Sequence, residues 1–560
     1  MTIRRDTLRW NGWGRLGESI GLGRAREEAI LDELGRRLGR KLLRGAEPCA
    51  LADVRLPPPK LEAALLERLR AACGDDGVGT SRFERARFAL GKSLPDLLRL
   101  RRGEIDAAPD VVVHPADEGA VAAVLRIAGE GRLAVVPCGG GTSVVGGVEA
   151  RPGPGHAGVI VLDTTRLDRL LAVDAIAGTA TFQAGIDGPA LEAALARHGR
   201  TLGHYPQSFE HSTLGGWIAT RSSGQQSNGY GAIEDMVVAV RLVTPEGVVR
   251  TLPVPRSAAG PDLRQLALGS EGALGVIVEA TLRTARLPAS RIERGMLFRS
   301  FADGVAAVRE LVQAGLPVSL VRLSDESETE LFELLRRKPG SRTGRTLDPG
   351  AVVLGAAARL GYAPGRRTTL LYGVEAASAR EASFAAWRVR RVLRRHGGLP
   401  LGRAPGRSWR RDRFRTPYLR DWLLDHGVAV DTLETALPWS LLEGGRDAIL
   451  LALRRALASH AGGGLAMAHL SHSYPDGASL YFTLLYPLDE TDAVAQWRAI
   501  KRAASDAVVA AGGTISHHHG VGVDHAPWLE GEKGRLGLAA LRAVKRVLDP
   551  AGLMNPGKLL

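Results

Sequence analysis

The 560-residue sequence has only three cysteines, Cys49, Cys73 and Cys138. They lie at no metal-ligand spacing, and an odd number cannot pair completely. Neither a disulfide framework nor a cysteine zinc site is expected, and a reducing, cytoplasmic setting fits best. No run of about 18 apolar residues occurs, so no membrane-spanning helix is expected. Met1 to Arg9 are polar and basic with no apolar stretch behind them, so no secretory leader is expected either. The glycine loop at 137–143 contains no Gly-Lys-Ser/Thr and so is not a Walker loop, and the chain has no recognisable nucleic-acid-binding module and no repeat of fixed period. These absences argue against a P-loop NTPase, a nucleic-acid binder and a solenoid.

What is present suits a large folded protein. Hydrophobic residues make up 45% and charged residues 24%, and the net charge of +14 is carried mainly by arginine. The basic residues are spread along the chain rather than gathered, which fits an arginine-rich surface and leaves room for an anionic or membrane-borne substrate. The length allows about three or four folding units. Residues 1–105 read as a helical preface, with Ile30, Leu31, Leu34, Leu38 and Leu42 on one face of a helix over 24–43. A proline breaker at 57–59 separates it from a second helix over 61–72.

From about residue 106 the pattern turns to strands alternating with helices. Strands are expected over 111–113, 133–136, 159–162, 171–173 and 179–183, with a helix over 118–128. The pattern closes near Thr284 and defines an α+β unit over 106–287. A second α+β unit is assigned to 288–480, with helices over 302–314, 378–396 and 445–461 and strands over 319–323, 369–374 and 478–485. The Gly-, Pro- and Arg-rich stretches 339–350 and 397–409 are expected to be loops. Residues 481–560 form a C-terminal segment, helical apart from Ser516-His517-His518-His519-Gly520-Val521-Gly522.

Three segments carry the chemistry. The first strand-to-loop exit reads Pro137, Cys138, Gly139, Gly140, Gly141, Thr142, Ser143. Glycines let a backbone approach a pyrophosphate, and consecutive amides with two hydroxyls form an anion-binding nest. The second runs through Gln207, Ser208, Phe209, Glu210, His211, Ser212 and Thr213, and on to Thr220, Arg221, Ser222 and Ser223. The third, Glu271, Gly272, Ala273, Leu274, Gly275, Val276 and Ile277, is a glycine turn entering a strand. A further match to G-x-G-x-x-G at Gly12 to Gly17 lacks the strand-then-helix context of a dinucleotide fold and is read as packing.

In this order and at these separations the three segments resemble the FAD-binding domain (PCMH-type) of the vanillyl-alcohol-oxidase flavoprotein superfamily. The resemblance implies an α+β fold in which those segments hold FAD, followed by an α+β cap. It further implies non-covalent FAD, because the first loop contains Cys138 and no histidine.

Two branches of that superfamily are relevant. The FAD-linked 2-hydroxy-acid dehydrogenases have a metal-binding His-x-Gly-Asp-Gly-Asn-x-His segment and a later Gly-Glu-His-Gly. Here the corresponding stretch, His469 to Tyr481, has Ala478 for the asparagine and, counting on from Asp476, Leu480 for the last histidine, and the later motif reads His518-His519-Gly520. A metal needs convergent imidazoles and carboxylates, and that set is depleted, so no metal is expected. The chain resembles the alkyldihydroxyacetonephosphate synthase branch almost end to end. The likeness rests on Trp10 to Gly14, Tyr230 to Asp235, Val321-Arg322-Leu323, Tyr418-Leu419-Arg420-Asp421, Leu433-Glu434-Thr435, Gly477 to Phe482 and the histidine triplet.

That resemblance implies exchange of the acyl chain of acyl-dihydroxyacetone phosphate for a long-chain fatty alcohol, without net redox change. It implies Tyr481 as general acid/base, Arg420 as the substrate-phosphate ligand, and roles in activity for Arg322 and for His517, His518 and His519. Alternating side chains on an extended segment would keep the three imidazoles from sharing one metal. An FAD-linked dehydrogenase or oxidase of a 2-hydroxy acid or other alcohol is the alternative, and a non-catalytic flavin-binding protein a third reading. Peripheral membrane contact and a homodimer are compatible with the resemblance. Two departures are notable: Gln207 stands where the eukaryotic enzymes have Asp, and 339–412 matches poorly. No peroxisomal targeting segment is recognisable near the N-terminus.

Overall fold

In the computed structural model, which describes residues 7–42, 47–336 and 349–560, the apolar triplet Val111–Val113 lies inside a small sheet of mostly parallel strands. The order is Val78–Gly79, Val111–Val113, Gly158–Asp163, Leu133–Cys138, and the last three run parallel. Parallel strands are covered on both faces, which is why these read as near-continuous apolar runs. The helix Glu118–Glu130 makes the crossover, its start fixed by the Asp117 carboxylate accepting the Ala120 amide. The C-terminus covers the open edge of this sheet: the Val135 amide donates to the Leu553 carbonyl and the Asn555 amide to the Val135 carbonyl. A second sheet of five antiparallel strands follows, in the order Leu170–Asp174, Thr179–Gln183, Val276–Arg283, Val237–Thr244, Gly247–Arg250. The three expected loops leave these two sheets.

A third sheet has seven antiparallel strands. Their order is Leu399–Gly402, Ser290–Phe298, Thr368–Ala376, Leu320–Ser324, Leu465–Ser473, Gly477–Pro487, Val428–Pro438. One face is apolar. Val321, Leu323, Leu370, Tyr372, Ala468, Leu470, Leu480, Phe482 and Leu433 pack there under the helices Phe301–Gln313, Ala379–Arg395, Trp439–Ala461 and Ala493–Ala510. Because side chains alternate along a strand, the residues between them, Arg322, His469, Tyr481 and Glu434, are delivered to the opposite face. The preface helix Arg24–Arg37 packs on this unit too, through Ile30 and Leu34 against Leu423, Val428, Met467 and Leu485.

Three expectations change. The stretch 397–409 is not a loop: Leu399–Gly402 is the edge strand and Ala404–Asp412 a helix. Pro400 is tolerated on an edge, and Pro405 sits in the first turn of the helix, where its missing amide costs nothing. The boundary at 480/481 falls inside the strand Gly477–Pro487, so the cap sheet and its helix Ala493–Ala510 continue well past it. Of the other expected loop, 339–348 lies outside the described residues, and Pro349–Arg359 is a helix. No helix among the described residues is long and apolar enough to cross a membrane.

Leu453 is fully buried between the seven-stranded sheet and its helical cover. Leu453→Ala is expected to destabilise the cap by about 2–5 kcal/mol. The unfolding transition of that unit in calorimetry should move down accordingly.

Candidate active site

The three loops and the polar face of the seven-stranded sheet enclose a cleft of about 290 Å³. Pro137, Cys138, Gly139, Gly140, Gly141, Thr142 and Ser143 all line it, as do Gln207, Ser208, Ser212, Thr213, Thr220, Ser222, Ser223, Glu271, Gly272, Gly275, Val276 and Ile277. From the sheet and the C-terminus come Tyr481, His518 and His519, with Arg420 from the helix Thr416–Leu424. The first and second loops meet with no room for side chains. A Cβ on Gly139 would fall on the Thr213 hydroxyl, and one on Gly140 on the His211 carbonyl oxygen. The amides of Gly139, Gly140 and Thr142 have no backbone acceptor among the described residues. A narrow cradle of free amides beside a cleft suits a pyrophosphate-bearing cofactor.

Several expected cofactor contacts are not at this surface. Phe209 is buried against Phe414 and Tyr205. Ala273 and Leu274 belong to the hydrophobic interior. Arg221 turns outward to Glu234 and Gln265, and Glu210 does not line the cleft. His211 borders a smaller adjoining cavity with Trp13 and Lys92. In each case a loop in a tight turn presents only some of its side chains inward, which a contiguous reading of the segment overcounts. Conversely, Ser93, Leu94, Thr164, Thr416 and Asp431 line the cleft without having been singled out, and Trp13 and Trp217 do so from segments read only for resemblance. Nothing local marked the first five, which come from separate parts of the chain. Gly12 and Gly14 do pack structurally, against Asp421 and Tyr418.

The histidine segment is a turn rather than an extended strand. The amides of His517, His518 and His519 all donate to the Glu434 carboxylate, at 2.7, 2.9 and 2.9 Å, and the Ser516 hydroxyl donates to it at 3.1 Å. The Gly520 amide turns back to the Ser516 hydroxyl at 3.0 Å, and the Val521 and Gly522 amides donate to Glu271 at 2.6 and 2.7 Å. Gly520 and Gly522 have φ of +90° and +52°, a region that favours glycine. Alternation of side chains therefore does not apply here, and all three imidazoles gather around Glu434. His472, His517 and His518 bring one ring nitrogen each within 4.8 Å of one another. That spacing could admit a cation, but the rings are hydrogen-bonded instead: His472 to Ser227 at 2.6 Å, His517 to Tyr474 at 2.7 Å, and His517 to His518 at 3.0 Å. Burial holds His517 at about 4 and His519 at about 3, both neutral at pH 7. Burial would raise the Glu434 carboxyl, but the surrounding imidazoles outweigh it and hold the group well below its usual value.

Strand register sets the rest. Glu434 lies opposite Tyr481, Tyr481 opposite His469, and His469 opposite Ser324, forming one row across four strands. The His469 ring stacks on Tyr481 at 4.9 Å, and its Nδ1 lies 3.0 Å from Glu328. Arg322 donates to Glu328 at 2.8 Å and approaches His469 at 3.1 Å, so it stands behind the cleft rather than in its wall. Burial pushes the Tyr481 phenol up to about 12. Arg420 is half-buried: Nη1 donates to the Lys92 carbonyl at 2.9 Å, while Nε and Nη2 are shut off from solvent and find no partner among the described residues. It does not pair with Asp421, which accepts the Trp13 amide at 2.6 Å and lies 3.6 Å from Arg9.

This fold and cleft define a flavoprotein of the FAD-linked oxidase type: residues 109–253 match the family model "FAD binding domain" and residues 287–559 the model "FAD linked oxidases, C-terminal domain". FAD is its cofactor. The chain is 32% identical to an alkyldihydroxyacetonephosphate synthase of Trypanosoma brucei brucei over 99% of this chain and 92% of the relative. It is 34% identical to the synthase of Dictyostelium discoideum over 91% and 83%. A solved structure of an alkyldihydroxyacetonephosphate synthase superposes with a TM-score of 0.84 at 30% identity, covering 99% of both chains. The chain belongs to the alkyldihydroxyacetonephosphate synthase family.

Two outcomes follow from this geometry. Gly140→Ala should reduce the flavin content of the purified protein at least about tenfold while the far-UV circular dichroism is unchanged, because its Cβ displaces the loop that faces the pyrophosphate site. His519 has its pKa depressed on folding, so the unfolded chain binds the extra proton between about pH 6.5 and pH 3, and the stability tied to it is lost as pH falls through that window. His519→Asn should flatten the dependence of stability on pH there by at most about 1.4 kcal/mol per pH unit relative to the parent protein. Parallel denaturation series at pH 4.5, 5.5 and 6.5 measure the difference.

Proposed function

We propose that the protein is an FAD-dependent synthase that exchanges the acyl chain of acyl-dihydroxyacetone phosphate for a fatty alcohol, with no net redox change. The observation that carries the reading is that a half-buried Arg420, with Nε and Nη2 shut off from solvent and unpartnered among the described residues, and a half-buried Tyr481 share one cleft with the three cofactor loops. Family membership supports it. We take FAD as non-covalently held, since no histidine lies in 137–143 and burial pushes the Cys138 thiol up to about 12, leaving it unreactive.

Each residue's part follows from its surroundings. The Nε and Nη2 groups of Arg420 are preset donors for a phosphate, which a guanidinium can bind through two hydrogen bonds. Tyr481, protonated in the resting site, gives its proton to the departing carboxylate and recovers one from the incoming alcohol. The alcohol oxygen takes the carboxylate's place on carbon, so Tyr481 ends as it began. His469 and His518 flank its ring, at 4.9 and 6.2 Å, and orient it. Bound FAD supplies a nucleophilic centre, which divides one displacement into two easier steps. Arg322 and Glu328 lock His469 from behind.

Mixing the purified protein with acyl-dihydroxyacetone phosphate and a long-chain alcohol, without an electron acceptor, should release fatty acid and form the ether. Release of no fatty acid, with flavin reduced by a 2-hydroxy acid and reoxidised only by an added oxidant, would replace the reading with a dehydrogenase. Tyr481→Phe should lower kcat by at least about 10³-fold with bound flavin unchanged. Arg420→Ala should raise the KM for the phosphorylated donor more than it lowers kcat.

A further inference from the structure

Glu434 is almost completely buried, and although Leu433-Glu434-Thr435 is one of the segments that carry the resemblance, nothing in the sequence gives the carboxylate a role. Its two oxygens divide their work. Oε1 accepts the amides of His518 and His519 and the Ser516 hydroxyl. Oε2 accepts only the His517 amide and lies 3.4 Å from His518 Nδ1, the closest approach of any triplet ring nitrogen to the carboxylate; the others lie at 3.6 and 3.8 Å.

His518 is also the hub of the cluster. Its ring contacts those of His472, His517, His519 and Tyr481, and it lines the cleft. His517 and His472 have ring nitrogens committed to Tyr474 and Ser227, and His518 Nδ1, beside Glu434 Oε2 at 3.4 Å, also meets His517 Nδ1 at 3.0 Å. His518 Nε2 has no hydrogen-bond partner among the described residues and so is available to exchange a proton with the cleft.

We propose that Glu434 is a positioning residue of this site: its carboxylate folds the 516–520 turn and orients His518 as the proton partner of Tyr481. The inference rests on the proposed function for the identity of the reaction, but not for the geometry. A carboxylate held by three consecutive amides fixes the backbone of the turn and leaves Oε2 to fix one ring. Glu434 and Tyr481 are direct neighbours across the strand pair, so the ring so held lies over the phenol.

A double-mutant cycle of Glu434→Gln and His518→Gln tests the coupling. Glu434→Gln keeps the shape and removes the charge. It should retain flavin, hold the KM of the acyl donor within about threefold and lower kcat by about 10²-fold, the usual scale for a proton-transfer partner. In the His518→Gln background the same change should cost less than about threefold. Glu434→Asp should recover part of the lost kcat. Equal cost in both backgrounds, or a fall in kcat that only tracks loss of bound flavin, would overturn the proposal.

A substrate-free measurement separates this from the proposed function. In protein with 13C-labelled histidine, the His518 ring signal is identified by its absence in His518→Gln. At pH 7 it should change tautomer or charge state in Glu434→Gln and Glu434→Asp. An unmoved His518 signal in both variants would overturn the role of Glu434 whatever the substrate. Absence of fatty-acid release from the parent protein counts against the proposed reaction alone.

Discussion

The active site depends on two buried carboxylates closing one short turn. Glu434 comes from the seven-stranded sheet and Glu271 from the loop that enters the five-stranded sheet. Between them they take five of the six consecutive amides from His517 to Gly522, and Ser516 takes the sixth. Burying an ion costs several kcal/mol even after relaxation, and it persists only where hydrogen bonds replace the lost water. At Glu434 three amides, a hydroxyl and the neighbouring imidazoles make that replacement, whereas burial still pushes Glu271, with two amides, up to about 7. The turn is thereby tied to both the cofactor-binding unit and the cap. Relative motion of the two units that moved this turn would have to break some of these hydrogen bonds.

The same economy of placement governs the sheet. A strand's period of two sends Leu480 and Phe482 under the helices and Tyr481 into the cleft, and the neighbouring strands do likewise with His469 and Glu434. Register then aligns the three polar residues in one row without any loop being involved. A one-residue slip would put the apolar set into the cleft and the polar set into the core, so the register that builds the polar row is also the one that buries the core. Stability of the cap and precision of the site are therefore one constraint.

Much of this was legible in the sequence, for identifiable reasons. The Pro137–Ser143 loop is a local signal, because glycine clustering after a strand has few uses. Tyr481 and Arg420 were singled out through resemblance, and both line the cleft. The clamp was not legible. Glu434 is 83 residues from His517, and nothing in Leu433-Glu434-Thr435 distinguishes a carboxylate that folds a distant turn from one on a solvated face. The misread of the triplet has the same origin: alternation is a property of strands, and this segment is drawn into a turn by an acceptor that arrives from another element. Likewise 397–409 looks like a loop by its Gly, Pro and Arg content, while edge position and a helix first turn are the two places where such a composition can be ordered.

What remains exposed to chemistry is an imbalance of charge. Glu434 is buried and accepts from three amides and a hydroxyl. Glu328 is buried and engaged by Arg322 and His469 at Oε1, while its Oε2 has no partner among the described residues. Arg420 is half-buried, with Nη1 engaged and with Nε and Nη2 shut off from solvent and without a partner among the described residues. A guanidinium so enclosed, with donors left over, is poorly compensated by the protein alone. The deficit is met if an anion occupies the cleft, and a phosphate oxygen pair matches the spacing of the guanidinium donors. The lipid chains that the proposed reaction exchanges carry no such group, so Arg420 can hold the constant part of donor and product while the variable part leaves. In that arrangement the phosphate stays fixed through both halves of the exchange, and Tyr481, close enough for Arg420 to act on its charge, meets first the departing carboxylate and then the arriving alcohol at the same point in space.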